Sequence, residues 1–188
     1  MRVLGEGTVD KQAFVVMDVQ EGIVERFGGS GAYLEGIRQV VAAARNAGVA
    51  VFFVRVGFRP GYPEIHPNNR SFRTMRERSA PLGDVHPDLD VRPDDIIVTK
   101  KRVSAFSGSD LDMLLRAGGI SRLVLAGIAT SGVVLSTVRE AADRDYVLTV
   151  LADGCLDADE EVHRVLIEKI FPRQADVISI SSWIESLS

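Results

Sequence analysis

Residues 13–18 (AFVVMD) contain the pattern that decides the fold: five consecutive apolar residues followed at once by an acid. A short continuous apolar run is typical of a strand that is buried on both faces, as in a parallel sheet. Similar runs lie at 49–56, 96–100, 123–126, 146–151 and 176–180. Between successive runs lie stretches in which apolar residues recur with the spacing of a helix. This alternation of strands and helices predicts an α/β fold, a three-layer doubly wound sandwich around a mostly parallel six-stranded sheet.

Length and composition narrow the range of functions. The chain has 188 residues, of which 46 % are hydrophobic and 26 % charged, and these values predict a single globular domain over residues 1–188. Its 22 basic and 26 acidic residues give a net charge of −4 without a basic block, which argues against binding to nucleic acid or to an anionic membrane surface. The one cysteine, Cys155, excludes an internal disulfide and suits a reducing compartment. With no apolar run of about 18 residues and no signal-peptide pattern, we expect a cytoplasmic protein.

Residues 57–93 interrupt the alternation of strands and helices. They hold six of the seven prolines and two of the three histidines, so we predict an irregular excursion with one short helix. Loops of this length in compact domains are usually functional. Its histidines, His66 and His86, are predicted to be ordinary loop residues. The aromatic residues in and near the excursion either line an apolar pocket over Asp18, form a small core of the loop itself, or contact another subunit; they are Phe58, Tyr62, Phe72 and Phe106.

Charged residues lie at the ends of two predicted strands, and ligands of open parallel sheets bind at the carboxyl ends of strands. Asp18 follows the first strand and Lys100 ends the third. A carboxylate directly after a buried run is costly unless it is paired or exposed, so Asp18 either bonds to loop amides or meets Lys100 in one crevice. We predict that the two side chains lie about 3–4 Å apart. Lys100 should lower the pKa of Asp18, while burial should raise it.

A third element is the turn 127–133 (GIATSGV), which leads from the fourth predicted strand into a helix. Free backbone amides and the helix dipole make such an N-terminus attractive to an oxyanion. The same residues also fit an ordinary helix start, in which Thr130 or Ser131 acts as the N-cap. The residues alone leave both interpretations open.

Three segments at the ends of predicted strands resemble the motifs of one family. Residues 17–20 (MDVQ) are similar to its strand-ending Asp-x-Gln, residues 99–106 (TKKRVSAF) to its Lys-x-x-x-Ser-Ala-Phe, and residues 127–137 (GIATSGVVLST) to its Gly-x-x-Thr-x-x-Cys-Val-x-x-Thr. On these motifs the chain resembles the isochorismatase-like, or cysteine hydrolase, superfamily, from residue 14 to about residue 166. The resemblance implies a strand order of 3-2-1-4-5-6, a non-proline cis peptide between Ile128 and Ala129, and a homo-oligomer, either a dimer or a tetramer.

The hydrolases of that superfamily use an Asp–Lys–Cys triad, in which the cysteine attacks an amide carbonyl. The resemblance assigns Asp18 and Lys100 to the first two positions and Val133 to the nucleophile slot. Valine has no nucleophilic atom, so covalent thiol catalysis cannot occur there. A lone cysteine is more often a small core residue than a nucleophile, so Cys155 is not expected to replace it, and Ser131 is expected mainly to cap its helix. Spacing places Val133 in the first helical turn, facing Asp18.

The sequence argues against membership in two branches of the superfamily, the isochorismatases and the nicotinamidases. Isochorismatases hydrolyse a vinyl ether and carry glycine in the nucleophile slot and glutamine after the second strand, where this chain has Val133 and Val56. Nicotinamidases carry an Asp-x-His…His metal site after the second strand, whereas residues 59–66 (RPGYPEIH) offer one histidine and one glutamate, which do not make a metal site. We therefore predict neither isochorismate as the substrate nor a bound metal or other cofactor.

Two functions remain. The first is a hydrolase-like enzyme that acts on a small molecule through Asp18 and Lys100, without a cysteine nucleophile. It is favoured by the retained charge pair, because such a pair is seldom kept for stability alone. The second is a catalytically inactive family member that binds a small molecule, and the missing nucleophile favours it. In either case we predict that the ligand contacts a set formed by Gln20, Phe58, Phe106, Ile128 and Ala129.

Overall fold

The structure is a computed structural model that describes residues 11–29, 31–78 and 81–187. Within these residues, six parallel strands form a sheet in the order β3-β2-β1-β4-β5-β6. The strands are β1 (Lys11–Met17), β2 (Ala50–Val56), β3 (Ile96–Lys100), β4 (Ile120–Ile128), β5 (Val147–Leu156) and β6 (Asp176–Ile178). The predicted fold class and strand order are both confirmed.

Helices cover both faces of the sheet. In the described ranges they are α1 (Glu21–Arg26), α2 (Gly31–Asn46), α3 (Arg70–Arg78), α4 (Leu111–Ala117), α5 (Leu135–Ala142), α6 (Glu160–Val165) and α7 (Ile180–Glu185). There are also π-helical turns at Thr130–Val134 and Leu166–Ile170, and 3₁₀ turns at Pro87–Leu89 and Phe171–Arg173. Among the helices described here, none is both long enough and apolar enough to cross a lipid bilayer.

Two helical regions differ from what the sequence predicts. Helix α1 is not predicted, because its six residues bury two apolar side chains, Ile23 and Val24, which are too few to show a helical period. The sequence predicts one helix over residues 160–171 that is broken by Pro172, whereas the structure has α6 followed by a π-helical turn and a 3₁₀ turn. Pro172 lies in that 3₁₀ turn and has no backbone N–H to donate to an α-helical partner, which explains why the regular helix does not continue through it.

The strands appear as continuous apolar runs because both faces of the sheet are covered. Successive residues of β1 enter different cores, with Val15 and Met17 on one face and Phe14 and Val16 on the other. The core that we call the first also contains residues of α4 and α5, among them Leu111, Leu115, Val138 and Ala141. The second core contains residues of α2 and α7, among them Ile37, Val41 and Trp183.

The excursion at 57–93 crosses the carboxyl ends of the central strands. It contains α3, the predicted short helix, and the 3₁₀ turn Pro87–Leu89. The backbone N–H of His86 donates to the carbonyl of Val19 at 2.9 Å, and that of Gly22 donates to the carbonyl of Leu82 at 3.1 Å. These bonds hold the last part of the excursion against the segment that follows β1.

The aromatic residues of the excursion pack on one another. The centroid of the Phe58 ring lies 6.0 Å from that of Tyr62 and 5.4 Å from that of Phe72. These three rings therefore form a small core of the loop, which was one of the three predicted alternatives. Phe106 does not join them, because it lies in the first core on the other face of the sheet.

Gly127 marks a close approach of β1 and β4. A Cβ atom at this position would lie 2.2 Å from the carbonyl oxygen of Met17, and the φ angle of Gly127 is 151°. Replacing Gly127 with alanine is expected to lower the free energy of unfolding by about 2–4 kcal/mol, since backbone atoms must move apart. Urea denaturation measures this change. Gly31→Ala is the control, because a Cβ there meets nothing within 4 Å; equal stability of the two variants would contradict the prediction.

Candidate active site

Asp18 and Lys100 meet across β2. Asp18 directly follows β1, where its φ of 57° turns the chain and its backbone N–H donates to the carbonyl of Val54 at 2.8 Å. Lys100 is the last residue of β3, so β2 lies between the two backbones. The Lys100 side chain spans this gap, and its Nζ lies 2.9 Å from Oδ2 of Asp18. The contact predicted from the two strand ends is therefore present.

The pair is buried, and its two members differ in their hydrogen bonding. Asp18 is 6 % exposed and Lys100 is 2 % exposed. Lys100 uses all three of its N–H donors, on Oδ2 of Asp18, on the carbonyl of Arg102 at 3.0 Å and on the carbonyl of Val103 at 2.9 Å. By contrast, Oδ1 of Asp18 is buried and meets no hydrogen-bond donor in the described part of the chain. Asp18 therefore keeps one oxygen free to accept a hydrogen bond, whereas Lys100 has no donor left.

Burial sets the protonation behaviour of Asp18. It raises the pKa of this carboxyl from about 3.8 to about 6, although the charge of Lys100 and its hydrogen bond both lower that pKa. Asp18 can therefore release and take up a proton close to neutral pH, as acid–base catalysis requires. A buried carboxyl with such a pKa beside one specific cation is typical of a proton-transfer site.

The loop after β3 is attached to α5, and this attachment positions Lys100. The backbone N–H of Ala105 donates to Oγ1 of Thr137 at 3.0 Å, and the Ser107 hydroxyl donates to Glu140 at 3.1 Å. Both bonds hold the loop that supplies the two carbonyls bound to Lys100. Thr137 was not predicted to be a site residue, although Ala105 and Thr137 each belong to one of the three family motifs. Their presence in those motifs was the signal that could have identified them.

Val133 lies in the π-helical turn that leads into α5, as its spacing predicts. It is 2 % exposed and packs in the first core, in the same cluster as Met17 and Val54. An isopropyl group there supplies neither a nucleophilic atom nor a proton. That its methyl groups face Asp18 stays a prediction.

The amide at the start of this turn is already bound to a carboxylate of the chain. Oδ2 of Asp157 accepts the backbone N–H of Ser131 at 2.6 Å. The prediction that Thr130 or Ser131 is the N-cap is wrong, because Ala129 occupies that position. The Thr130 hydroxyl instead lies 2.8 Å from Nδ1 of His163. Asp157 directly follows β5, so the strand-end rule that found Asp18 could have found it too.

Comparison with known proteins gives the family. The sequence profile of the Isochorismatase domain matches residues 12–182. The chain belongs to the isochorismatase family. It is 34 % identical over 165 residues to the uncharacterized isochorismatase family protein YwoC of Bacillus subtilis, covering 87 % of each chain. It is 33 % identical over 210 residues to the ureidoacrylate amidohydrolase RutB of Stutzerimonas stutzeri, covering 93 % of this chain and 79 % of the relative.

A solved structure supports the same assignment. The chain matches an isochorismatase family protein from Burkholderia thailandensis with a TM-score of 0.81 at 27 % identity, over 96 % of this chain and 97 % of the other. The non-proline cis peptide that the resemblance implies is present between Ile128 and Ala129. The family membership inferred from the three motifs is therefore confirmed.

Gln20 of this isochorismatase-family chain is a structural residue. It is fully buried, and its Nε2 donates to the carbonyls of Val56 at 3.2 Å and Gly83 at 2.9 Å. Its Oε1 accepts the backbone N–H of Val56 at 2.8 Å. Both N–H groups of the carboxamide are used to join the end of β2 to the excursion, and the ligand contact of Gln20 stays a prediction.

Phe106 packs against two residues near the start of β5. Its ring stacks on that of Tyr146 with centroids 6.0 Å apart, and the Arg144 guanidinium lies 4.8 Å from its centroid. Tyr146 directly precedes β5, so this contact lies toward the amino ends of the strands. Phe106 is therefore part of the first core, and its ligand contact stays a prediction.

The remaining residues of the predicted ligand set occupy different environments. Ile128 is 2 % exposed and belongs to the second core. Ala129 is half-buried, and its carbonyl accepts the backbone N–H groups of Gly132 at 3.0 Å and Val134 at 3.2 Å. Phe58 is half-buried and lines a cleft at the ends of β2 and β3. Ligand contacts by these residues stay predictions.

The histidines of the excursion take part in local turns. Nδ1 of His66 accepts the backbone N–H of Asn68 at 3.1 Å, and Nδ1 of His86 accepts that of Asp88 at 3.3 Å. Each bond joins residues two apart in sequence, so both histidines act as loop residues in the way that the sequence predicts.

Cys155 is separated from the charge pair. It lies in β5 and its backbone pairs with Gly127 of β4, so β4 separates it from β1 and Asp18. The residue is 5 % exposed, and burial raises the pKa of its thiol to about 12, against the weaker opposing effect of a hydrogen bond with the Gly127 backbone. A neutral, buried thiol is a poor nucleophile.

Cys155 is therefore expected to resist alkylation in the folded protein. In iodoacetamide at pH 8, less than about a tenth of the folded protein should react in the time that urea-unfolded protein needs for complete reaction. Mass spectrometry of the intact chain measures the labelled fraction. Rapid labelling of the folded protein, with loss of any measured activity, would instead identify Cys155 as a reactive thiol.

Proposed function

We propose that this protein is a small-molecule hydrolase of the isochorismatase family in which Asp18 acts as a general base toward water, without a covalent thiol intermediate. The observation that carries the proposal is the state of Asp18: a buried carboxyl that is fixed by Lys100 through Oδ2 and has an unpartnered Oδ1. An unsatisfied buried acceptor is costly unless it has a role. A bound water or substrate would satisfy it.

The protonation state of Asp18 favours its action as a general base, and not as a general acid, at neutral pH. With a pKa of about 6, Asp18 is ionised in about ten molecules for each one that is protonated at pH 7. Lys100 supports the ionised form by its charge and does not touch the substrate. It is therefore a positioning residue, whereas Asp18 is the catalytic one.

The proposed reaction conserves every proton. Oδ1 of Asp18 takes a proton from a water molecule while the water oxygen forms a bond to the substrate carbonyl carbon. The tetrahedral intermediate then collapses, the carbon–nitrogen bond breaks, and the protonated Asp18 returns its proton to the leaving nitrogen. Asp18 ends the cycle ionised, as it began, and no cofactor is needed in this scheme.

The name of one relative supports a substrate class. RutB of Stutzerimonas stutzeri is named as a ureidoacrylate amidohydrolase, and its similarity covers 93 % of this chain. We therefore propose amide-type bonds, including ureido groups, as the first compounds to test. Fold likeness alone does not define chemistry, because one fold hosts many activities.

A second candidate function is small-molecule binding without turnover. Val133 favours it, because this residue is buried among apolar side chains and supplies no nucleophile at its own position. The two candidates differ in one measurable property. A hydrolase consumes its ligand, and a binding protein releases it unchanged.

A substrate screen tests the proposal. Purified protein and its Asp18→Asn variant are incubated with small amides, ureido compounds, carbamoyl compounds and vinyl ethers, and products are followed by mass spectrometry. We expect turnover of a compound from the first three groups by the unmodified protein and not by the variant. Binding without turnover would support the second candidate instead. Turnover that survives Asp18→Asn would place the chemistry at another site.

A further inference from the structure

A cleft of about 740 Å³ opens at the carboxyl ends of β2 and β3. Neither Asp18 nor Lys100 lines it. Successive side chains of a strand point to opposite faces of the sheet. The side chains of Thr99 and Arg55 lie on the same face, because Oγ1 of Thr99 accepts a hydrogen bond from Nε of Arg55 at 3.1 Å. The wall also includes Val56, Gly57, Phe58, Arg59, Tyr62, Met75, Leu82 and Lys101.

The charges around the cleft do not cancel. Among the described residues that line it are three cations and no acid. Arg55 is paired with the exposed carboxylate of Asp84, and Arg59 with Glu64 at 2.9 Å. Lys101 has no carboxylate within 4.0 Å in the described ranges. Lys101 also acts electrostatically on the Glu64 carboxylate at longer range. Three cations against two carboxylates still leave the described part of the cleft with one excess positive charge, which an anion with one negative charge would balance.

Lys101 is held in place with donors to spare. Its Nζ donates one hydrogen bond, to the carbonyl of Gly57 at 2.5 Å, and lies 5.9 Å from the centroid of the Phe58 ring. An ammonium group has three N–H donors, so two remain for a ligand. The side chain is half-buried, and a charge-assisted hydrogen bond at such a position is stronger than one between neutral groups.

The other side chains of the cleft suit an apolar body. Phe58 and Tyr62 present aromatic surface, and Met75 and Leu82 present flexible apolar surface. A volume of about 740 Å³ lies within the range of clefts that hold small organic molecules. We infer that this cleft is a binding site for a small aromatic monocarboxylate, with Lys101 bound to the carboxylate and Phe58 packed against the ring.

This inference goes beyond the proposed function and does not depend on it, because binding can be measured without turnover. The two sites are nonetheless neighbours. Lys101 follows Lys100 in the chain, and the backbone N–H of Gly57 donates to the carbonyl of Lys100 at 3.3 Å. The cleft therefore shares part of its wall with the loop that holds the charge pair.

Isothermal titration calorimetry with benzoate and with benzamide, its neutral analogue, tests the inference. We expect benzoate to bind at least about 10-fold more tightly than benzamide, and Lys101→Met to remove that preference. Lys169→Met, which removes a positive charge from an exposed position elsewhere, should leave benzoate binding unchanged. Asp18→Asn should also leave it unchanged, and this result separates the cleft from the catalytic pair.

Several results would overturn the inference. They are an absence of benzoate binding, equal affinity for benzoate and benzamide, unchanged binding in Lys101→Met, or loss of binding in Asp18→Asn. Circular dichroism checks that each variant folds. Lys101→Gln is the second variant if Lys101→Met does not fold, and it should weaken benzoate binding by at least about 10-fold because it too removes the charge.

Discussion

Replacing Asp18 with asparagine is expected to lower kcat/KM by about 10²- to 10⁴-fold on any substrate that the screen identifies. Asparagine keeps the shape of the side chain but cannot take a proton from water, so the variant loses the general base. It also removes the charge that pairs with Lys100, and circular dichroism therefore checks that the variant folds. Steady-state kinetics measure the loss. In the unmodified protein, kcat/KM should rise with pH through about 6, because the pKa of Asp18 lies there and the ionised form is the active one.

Asp94→Asn is the matched control for this variant. Asp94 is exposed and lies outside the charge pair, so the same change of charge should leave kcat/KM within about twofold. Retention of more than a tenth of the activity in Asp18→Asn would exclude Asp18 as the base. A kcat/KM that falls as the pH rises through 6 would show instead that the protonated carboxyl is the active form and that Asp18 acts as an acid.

Replacing Lys100 with methionine is expected to destabilise the protein by about 3–5 kcal/mol at pH 8, because it leaves the buried Asp18 charge without its partner. In the unmodified protein the pKa of Asp18 is raised in the folded state, from about 3.8 to about 6. The folded protein therefore binds more protons than the unfolded chain between these values, and ionisation of Asp18 lowers stability as the pH rises through that window.

In Lys100→Met, the loss of stability that accompanies ionisation of Asp18 should be larger than in the unmodified protein. Without the Lys100 ammonium the pKa of Asp18 rises further, so the loss of stability should be larger at pH 8 than at pH 4.5, where the carboxyl is largely protonated. Urea denaturation at the two pH values measures the difference. The double variant Asp18→Asn with Lys100→Met is the control, and it should be more stable at pH 8 than Lys100→Met alone, since no buried charge remains. Equal losses at both pH values would contradict the electrostatic explanation.

The positions of Asp18 and Lys100 could be predicted because they depend on simple rules. Each lies at the carboxyl end of a buried apolar run, and parallel strands place those ends at one edge of the sheet. The strand order decides which ends are neighbours, and in this case it came from the family resemblance. Residue pattern and resemblance together therefore predicted the contact between Asp18 and Lys100.

The side-chain contacts of Gln20 and Phe106 could not be predicted, for a physical reason. The motifs place both residues near the site in sequence, but they do not give the direction of a side chain. Gln20 turns inward because its carboxamide satisfies backbone groups at the end of β2. Phe106 turns toward Tyr146 because the 101–110 loop folds back onto the first core.

The capping of the π-helical turn could not be predicted from its own residues. Asp157 and Ser131 are 26 residues apart, and their hydrogen bond exists only because β4 and β5 are neighbours. Local sequence favours Thr130 or Ser131 as the cap, and the tertiary contact overrides that preference. The hydroxyl of Thr130 then bonds to His163 of α6, which is also distant in sequence.

Titration of the Asp18 carboxyl by carbon-13 NMR tests the central claim most directly, because it needs no substrate. The Asp18→Asn variant assigns the resonance by its disappearance. We expect a pKa of about 6 for this carboxyl, in agreement with its burial beside Lys100, and a higher pKa in Lys100→Met. A pKa near 4 or below, unchanged by Lys100→Met, would contradict both the buried ion pair and the role of Asp18 as a base at neutral pH.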